Sequence, residues 1–286
     1  MLSAVLASSN LLGREVGILG RLFGKKDASR QENAPINHAF VLLSNVALPV
    51  AETLENAYRQ YASSELVLKT SEKDEHKQVL TLEMSTGEKS FVMLIPAPVP
   101  NEEAEYSVQF SLSRFRNNWA LPTHNAHLMV TFHGTVESKP IDRLSRFTAL
   151  LAAVIKASPA VGVYWGHAGA THDSDFFVSV AAEEGVTPKM MLWSGISIAR
   201  ETDGRLSVLS LGMEQLNLPD LLLVAGENSE NEALETAYDM LAYLALRGEP
   251  LPEGDTVGRN ADERIPVHYV KSPLNPKKKV WRVNFP

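Results

Sequence analysis

Residues 221–286 read LLLVAGENSENEALETAYDMLAYLALRGEPLPEGDTVGRNADERIPVHYVKSPLNPKKKVWRVNFP, and their pattern decides the fold class. The apolar run Leu221–Ala225 has the length of a buried strand and is too short for a helix. From Glu230 to Leu246, Leu234, Ala237, Tyr238, Leu241, Leu244 and Ala245 recur on one helical face, and Gly248 stands where a helix ends. A glycine-bearing turn, Gly254-Asp255-Thr256-Val257-Gly258, then leads to two short strand-like runs. Strand, helix and paired strands in one block predict an α+β fold.

Working towards the N-terminus, the same alternation continues. Leu206–Leu211 and Met190–Ala199 read as strands paired around Asp203-Gly204. Ser174–Glu184 reads as a helix, Val161–Trp165 as a buried strand, Pro140–Lys156 as a helix and His127–Phe132 as a strand. Asn101 with Glu102 and Glu103 predicts a capped helix start. Ser90–Ile95 and Val79–Met84 read as a hairpin around Thr86-Gly87. Leu66–Thr70 and Ala39–Ser44 read as strands flanking a helix over Val50–Ala62. Mixed or antiparallel sheets with helices packed on one face are therefore expected. The element order suggests a duplicated strand-helix-strand-strand unit. It divides the body 38–286 into halves 38–122 and 123–286.

Residues 1–37 read as an N-terminal segment and linker. Val16, Leu19, Leu22 and Phe23 suit an amphipathic helix that could touch a membrane surface, although Gly13, Gly17, Gly20 and Gly24 weaken it. Lys25–Asn37 is polar and linker-like.

The chain has 286 residues, no cysteine and a formal net charge of −7. Without cysteine there are neither disulfides nor thiolate zinc sites, which suits a reducing cytoplasm. The negative charge argues against a nucleic-acid binder, which must neutralise phosphates. No window approaches the ~18 apolar residues of a membrane span.

The pieces MLIPAPVP (93–100), THNAHLMVTF (123–132), AVGVYWG (160–166) and the final block with GDTVGR and IPVHYVKSP together resemble the bacterial family termed domain of unknown function 4261. The resemblance spans roughly residues 38–286. It implies a two-part α/β domain of a cytoplasmic bacterial protein, in the company of immunity-type families beside secreted toxins. It carries no catalytic motif, so it assigns no catalytic residue.

Two groups of side chains invite a chemical reading. The loop WGHAGATHDSD carries His167, His172, Asp173 and Asp175 after Trp165, which is grouped with it as a candidate contact. His127 and His133 share one strand face. If His127, His133, His167, His172 and Asp175 converged, with Asp173 beside them, they would offer nitrogen and carboxylate ligands for a metal-dependent hydrolase. The alternative is histidines that bond backbone carbonyls. In the GDTVGR turn, Asp255 and Arg259 are candidate polar contacts, or else turn residues bonding their own backbone. No HExxH, GxSxG or phosphate-loop motif occurs. The leading expectation is a non-enzymatic, cofactor-free cytoplasmic protein that binds a basic protein partner such as a toxin. A metal-dependent hydrolase is the alternative.

Overall fold

The computed structural model describes residues 35–226, 229–260 and 262–285. The amphipathic reading of residues 1–24 and the linker up to residue 34 lie outside the described residues. Strand β1 spans Ile36–Leu43 and so takes up the last two positions read as linker. The reason is local: Asn37 is buried, and its Oδ1 accepts a hydrogen bond from Arg143 Nε at 3.0 Å.

Helix α1 (Ala51–Tyr61) leads into strands β2 (Leu68–Asp74), β3 (Val79–Met84) and β4 (Lys89–Ile95). Two short helices, α2 (Glu103–Ser107) and α3 (Leu112–Asn117), precede β5 (Ala126–His133). The chain continues through α4 (Pro140–Lys156), β6 (Ala160–Trp165), β7 (Ala170–Asp173) and α5 (Ser174–Ala182). It then passes α6 (Met190–Trp193), β8 (Gly195–Arg200), β9 (Leu206–Leu211) and β10 (Leu221–Ala225). Helix α7 (Glu230–Arg247), β11 (Thr256–Val257), β12 (Ile265–Lys271) and β13 (Lys279–Asn284) complete it.

These strands form two sheets. The first has the order β2-β3-β4-β5-β1-β6-β7, and every neighbouring pair is antiparallel. The second has the order β11-β12-β13-β10-β9-β8 and is antiparallel except where β10 runs parallel to β13. The fold is α+β. Strands from before and after residue 122 interleave in the first sheet, where β5 lies between β4 and β1. The courses β1-α1-β2-β3 and β5-α4-β6-β7 share element order, and α1 packs on α4. Their strand placements differ, because β6 returns beside β1 whereas β2 ends at the sheet edge.

Alternation along β1 separates two faces. Ala39, Val41 and Leu43 enter the main core, whereas Phe40 and Leu42 join a smaller cluster with Val99, Ala104 and Tyr164. The long helices lie on the main-core side, and the segment containing α2 covers part of the other. Every residue from Phe147 to Ile155 in α4 is buried, the mark of a helix enclosed all round. The main core also takes Leu221, Leu223, Val267 and Trp281 from the second sheet, so both sheets share it.

Two local expectations are corrected. Met190–Trp193 is helical rather than extended, because Pro188 and Lys189 open a turn whose carbonyls accept from Met191 N and Leu192 N. The strand then starts at Gly195, where a Cβ would lie 2.4 Å from the Ala168 carbonyl oxygen. Asn101 does not cap a helix. Asn101 and Glu102 have φ of 60° and 55°, and no side chain caps α2.

Candidate functional site

The histidines of the sequence reading are mostly absorbed by the fold. His172 in β7 is fully buried. Its Nδ1 lies 3.1 Å from Ser111 Oγ and its Nε2 3.2 Å from the Leu192 carbonyl oxygen. The carbonyl can only accept, so Nε2 carries the proton and Nδ1 accepts from the Ser111 hydroxyl. Burial pushes the His172 pKa down to about 4, partly countered by the bond to Leu192. His127 lies 2.8 Å from the Ala97 carbonyl oxygen through Nδ1 and sits edge-on to Phe40. His133 is edge-on to Phe91. Burial lowers the pKa of both.

His167 stands apart. Its ring lies 4.8 Å from that of His38, and its buried Nε2 has no hydrogen-bond partner among the described residues. Burial and the neighbouring His167 hold His38 at about 4, and burial lowers His167 as well. The loop carrying His167 is held by backbone packing. Gly212 has φ +98°, and a Cβ there would lie 2.6 Å from the His167 carbonyl oxygen.

The proposed metal set does not assemble. Among the described residues, no group of three or more His, Asp or Glu side chains is placed to hold a metal ion. The physical reason is prior commitment: both His172 nitrogens are engaged, and Asp173 caps α5, its Oδ2 accepting from Phe176 N. Asp175 is exposed in the first turn of that helix. Trp165 is fully buried, and its Nε1 donates to Gln215 Oε1 at 3.1 Å. It therefore offers no surface to a ligand. Gln215 Nε2 donates in turn to the Trp193 carbonyl at 2.7 Å, and Arg143 Nη2 donates to the Gln215 carbonyl at 3.1 Å. This network is a core junction.

The two residues of the glycine-bearing turn separate. Asp255 closes the turn: its Oδ1 accepts from Thr256 N at 2.9 Å and its carbonyl from Val267 N at 2.8 Å. Arg259 faces a cleft of about 610 Å³ between α7 and the loop that follows β11. Asp239, Met240 and Tyr243 of α7 form one wall, and Arg259, Glu263 and Phe285 lie on the other. The Arg259 guanidinium clasps Glu263, with Nη2–Oε1 at 2.5 Å and Nε–Oε2 at 3.0 Å, and lies 5.0 Å over the Phe285 ring. Each partner's charge is stabilised by the other, which raises the Arg259 pKa and lowers that of Glu263. Gly258 is required here, because a Cβ would meet the Glu263 carbonyl oxygen at 2.3 Å.

Of the cleft residues, the sequence reading named Arg259 and did not name Asp239 or Tyr243, and it did not name the exposed Leu246 on the same helix as a candidate contact. Tyr243 and Leu246 are 49% and 63% exposed. Both lie off the apolar stripe of α7, and that misplacement was the available signal.

A family model described as "Domain of unknown function (DUF4261)" matches residues 209–284. Over this stretch, from β9 to the end of β13, the chain is similar to that family. The match is narrower than the expected span of 38–286, and the pieces at 93–100, 123–132 and 160–166 lie outside it. No curated protein and no solved structure matches the chain. Every residue lining the cleft beside α7 except Phe285 falls inside the matched stretch. Among the described residues, no helix is long and apolar enough to cross a membrane.

Proposed function

We propose that the chain is a non-enzymatic protein-binding protein of the bacterial cytoplasm, an immunity or adaptor protein whose partner is basic. One observation carries this reading. The histidines and aspartates of the 166–175 loop serve the fold or stand apart, whereas the family-matched segment presents a polar-walled cleft beside an exposed helix face. The net charge of −7 supports a basic partner, whose approach it would accelerate by electrostatic steering. An immunity protein would act by covering a toxin's working cleft, and an adaptor by joining two proteins. Neither role needs a nucleophile or a metal.

The test is affinity capture from the native lysate, followed by reconstitution of the captured protein with this chain from purified components. A single basic partner in a stoichiometric complex that survives purification is expected. Turnover of a substrate by the purified chain, with no reconstitutable partner, would overturn the reading.

A further inference from the structure

We infer that the exposed stripe of α7 and the cleft beside it receive a basic segment bearing an apolar anchor. This inference rests on the binding reading and specifies where and what the chain binds.

Helix α7 presents Glu232, Glu235, Asp239, Tyr243 and Leu246 to solvent at spacings of three and four residues, so they form one stripe. Its N-terminal half is acidic and its C-terminal half apolar. Glu232 is committed to the capping box with Ser229. Glu235 and Asp239 are exposed and carry no ion-pair partner among the described residues. Asp239 and Tyr243, four residues apart, place a carboxylate and an aromatic ring at neighbouring positions on one wall of the cleft. A lysine or arginine there gains an ion pair and a ring face together. Met240, also on that wall, suits the methylene stem of such a side chain.

The far wall fixes orientation. Arg259 is neutralised by Glu263 and seated on Phe285, so it does not repel a cation as a free arginine would. Arg264 lines the same wall, its Nη1 donating to the Glu263 carbonyl at 3.0 Å. An incoming basic segment therefore turns its charges towards α7. Its apolar anchor follows the helix to Tyr243 and Leu246, which are 49% and 63% exposed and lie next to each other on the stripe. The remedy for two exposed apolar side chains beside two unpaired carboxylates is one amphipathic partner.

The experiment uses the full chain and a short fluorescein-labelled peptide of lysine and leucine at helical spacing. A copy with glutamate in place of lysine is the control, and both are followed by fluorescence anisotropy at several salt concentrations. The lysine peptide should bind and weaken with salt, and the glutamate peptide should not bind. The double substitution Glu235→Lys, Asp239→Lys should weaken binding about tenfold or more, and Tyr243→Ala by about tenfold. All three sites are exposed, so thermal unfolding should stay at the parent value. Equal binding of the glutamate peptide overturns the partner's chemistry. Unchanged affinity in both variants overturns the surface. Neither result touches the binding reading itself, which fails only if no reconstitutable partner exists.

Discussion

Lowering the pH should weaken this fold above the ordinary carboxylate range, because His172 and His38 are buried neutral. His172 and His38 titrate at about 4 in the folded chain against 6.5 when exposed in the unfolded one, and burial is the main cause in both. The unfolded chain therefore binds more protons between these values, and stability falls as the pH drops through that window. Between about pH 7.5 and about pH 5, each histidine removes about 2 kcal/mol. Asp220 acts in the opposite direction. Burial raises its carboxyl to about 6, so the folded form takes up a proton first. It returns about 1 kcal/mol over the same window, so these three groups together remove about 3 kcal/mol, and His127, His133 and His167, also lowered by burial, act in the same direction as the two histidines. Groups such as Glu253 and Glu263, whose pKa values are lowered in the fold, contribute mainly below this range. Urea unfolding followed by tryptophan fluorescence is a suitable assay, since Trp165, Trp193 and Trp281 are fully buried and become exposed together. His172→Gln should lower absolute stability yet remove about 2 kcal/mol from the difference between the two pH values. A difference that is zero in the parent, or unchanged in His172→Gln, would refute the argument.

Other outcomes follow from the same contacts. Glu88 is buried against Arg146 and also accepts from Thr86 Oγ1. Glu88→Gln should cost about 3 kcal/mol in urea unfolding, and adding Arg146→Leu should recover part of it, because the uncompensated charge is then gone. Gly258→Ala should lower the melting temperature by several degrees, a loss of about 1–3 kcal/mol, since the loop must open to relieve the contact with the Glu263 carbonyl. Zinc or manganese added to the purified chain should leave its melting temperature unchanged, because the five candidate ligands do not converge. A rise with stoichiometric metal would contradict that geometry.

The sequence was most legible where a single period dominates. Pro140–Lys156 and Leu206–Leu211 fall where the sequence put them, because a proline start or a short apolar run after the Asp203-Gly204 turn leaves one solution. It was least legible where tertiary contact overrode local preference. MMLW in α6 is as apolar as a strand, and only burial of Met190, Leu192 and Trp193 after the Pro188 turn makes it helical. The candidate site failed for a related reason. His167, His172 and Asp175 are close in sequence, but β7 turns His172 into the core while Asp175 starts a helix in solvent. Sequence proximity cannot distinguish these fates, since both depend on which strand face meets the core. Arg259 was legible as a cleft residue because a charged side chain in a glycine-bearing turn tends to reach solvent. Its partner wall on α7 was missed because it comes from another element.

The family-matched segment should nevertheless depend on the rest of the chain for its fold. Its turn at Met213–Leu216 is bound from outside the matched residues: Trp165 donates to Gln215, Gln215 donates to the Trp193 carbonyl, and Arg143 donates to the Gln215 carbonyl. Leu221, Leu223, Val267 and Trp281 share one core with Phe147 and Leu151 of α4. Removing residues before the match would strip that core of its other half and leave the buried face of the second sheet without it. Burial supplies about 25 cal/mol per Å² of apolar surface, whereas the cost of ordering the backbone would remain, so the balance turns against folding. A fragment covering residues 205–286 should accordingly show no cooperative unfolding by circular dichroism, and it should bind a dye for exposed apolar surface. A sharp two-state transition in that fragment would show that the segment folds alone, and that its contacts with α4 are an interface rather than a shared core.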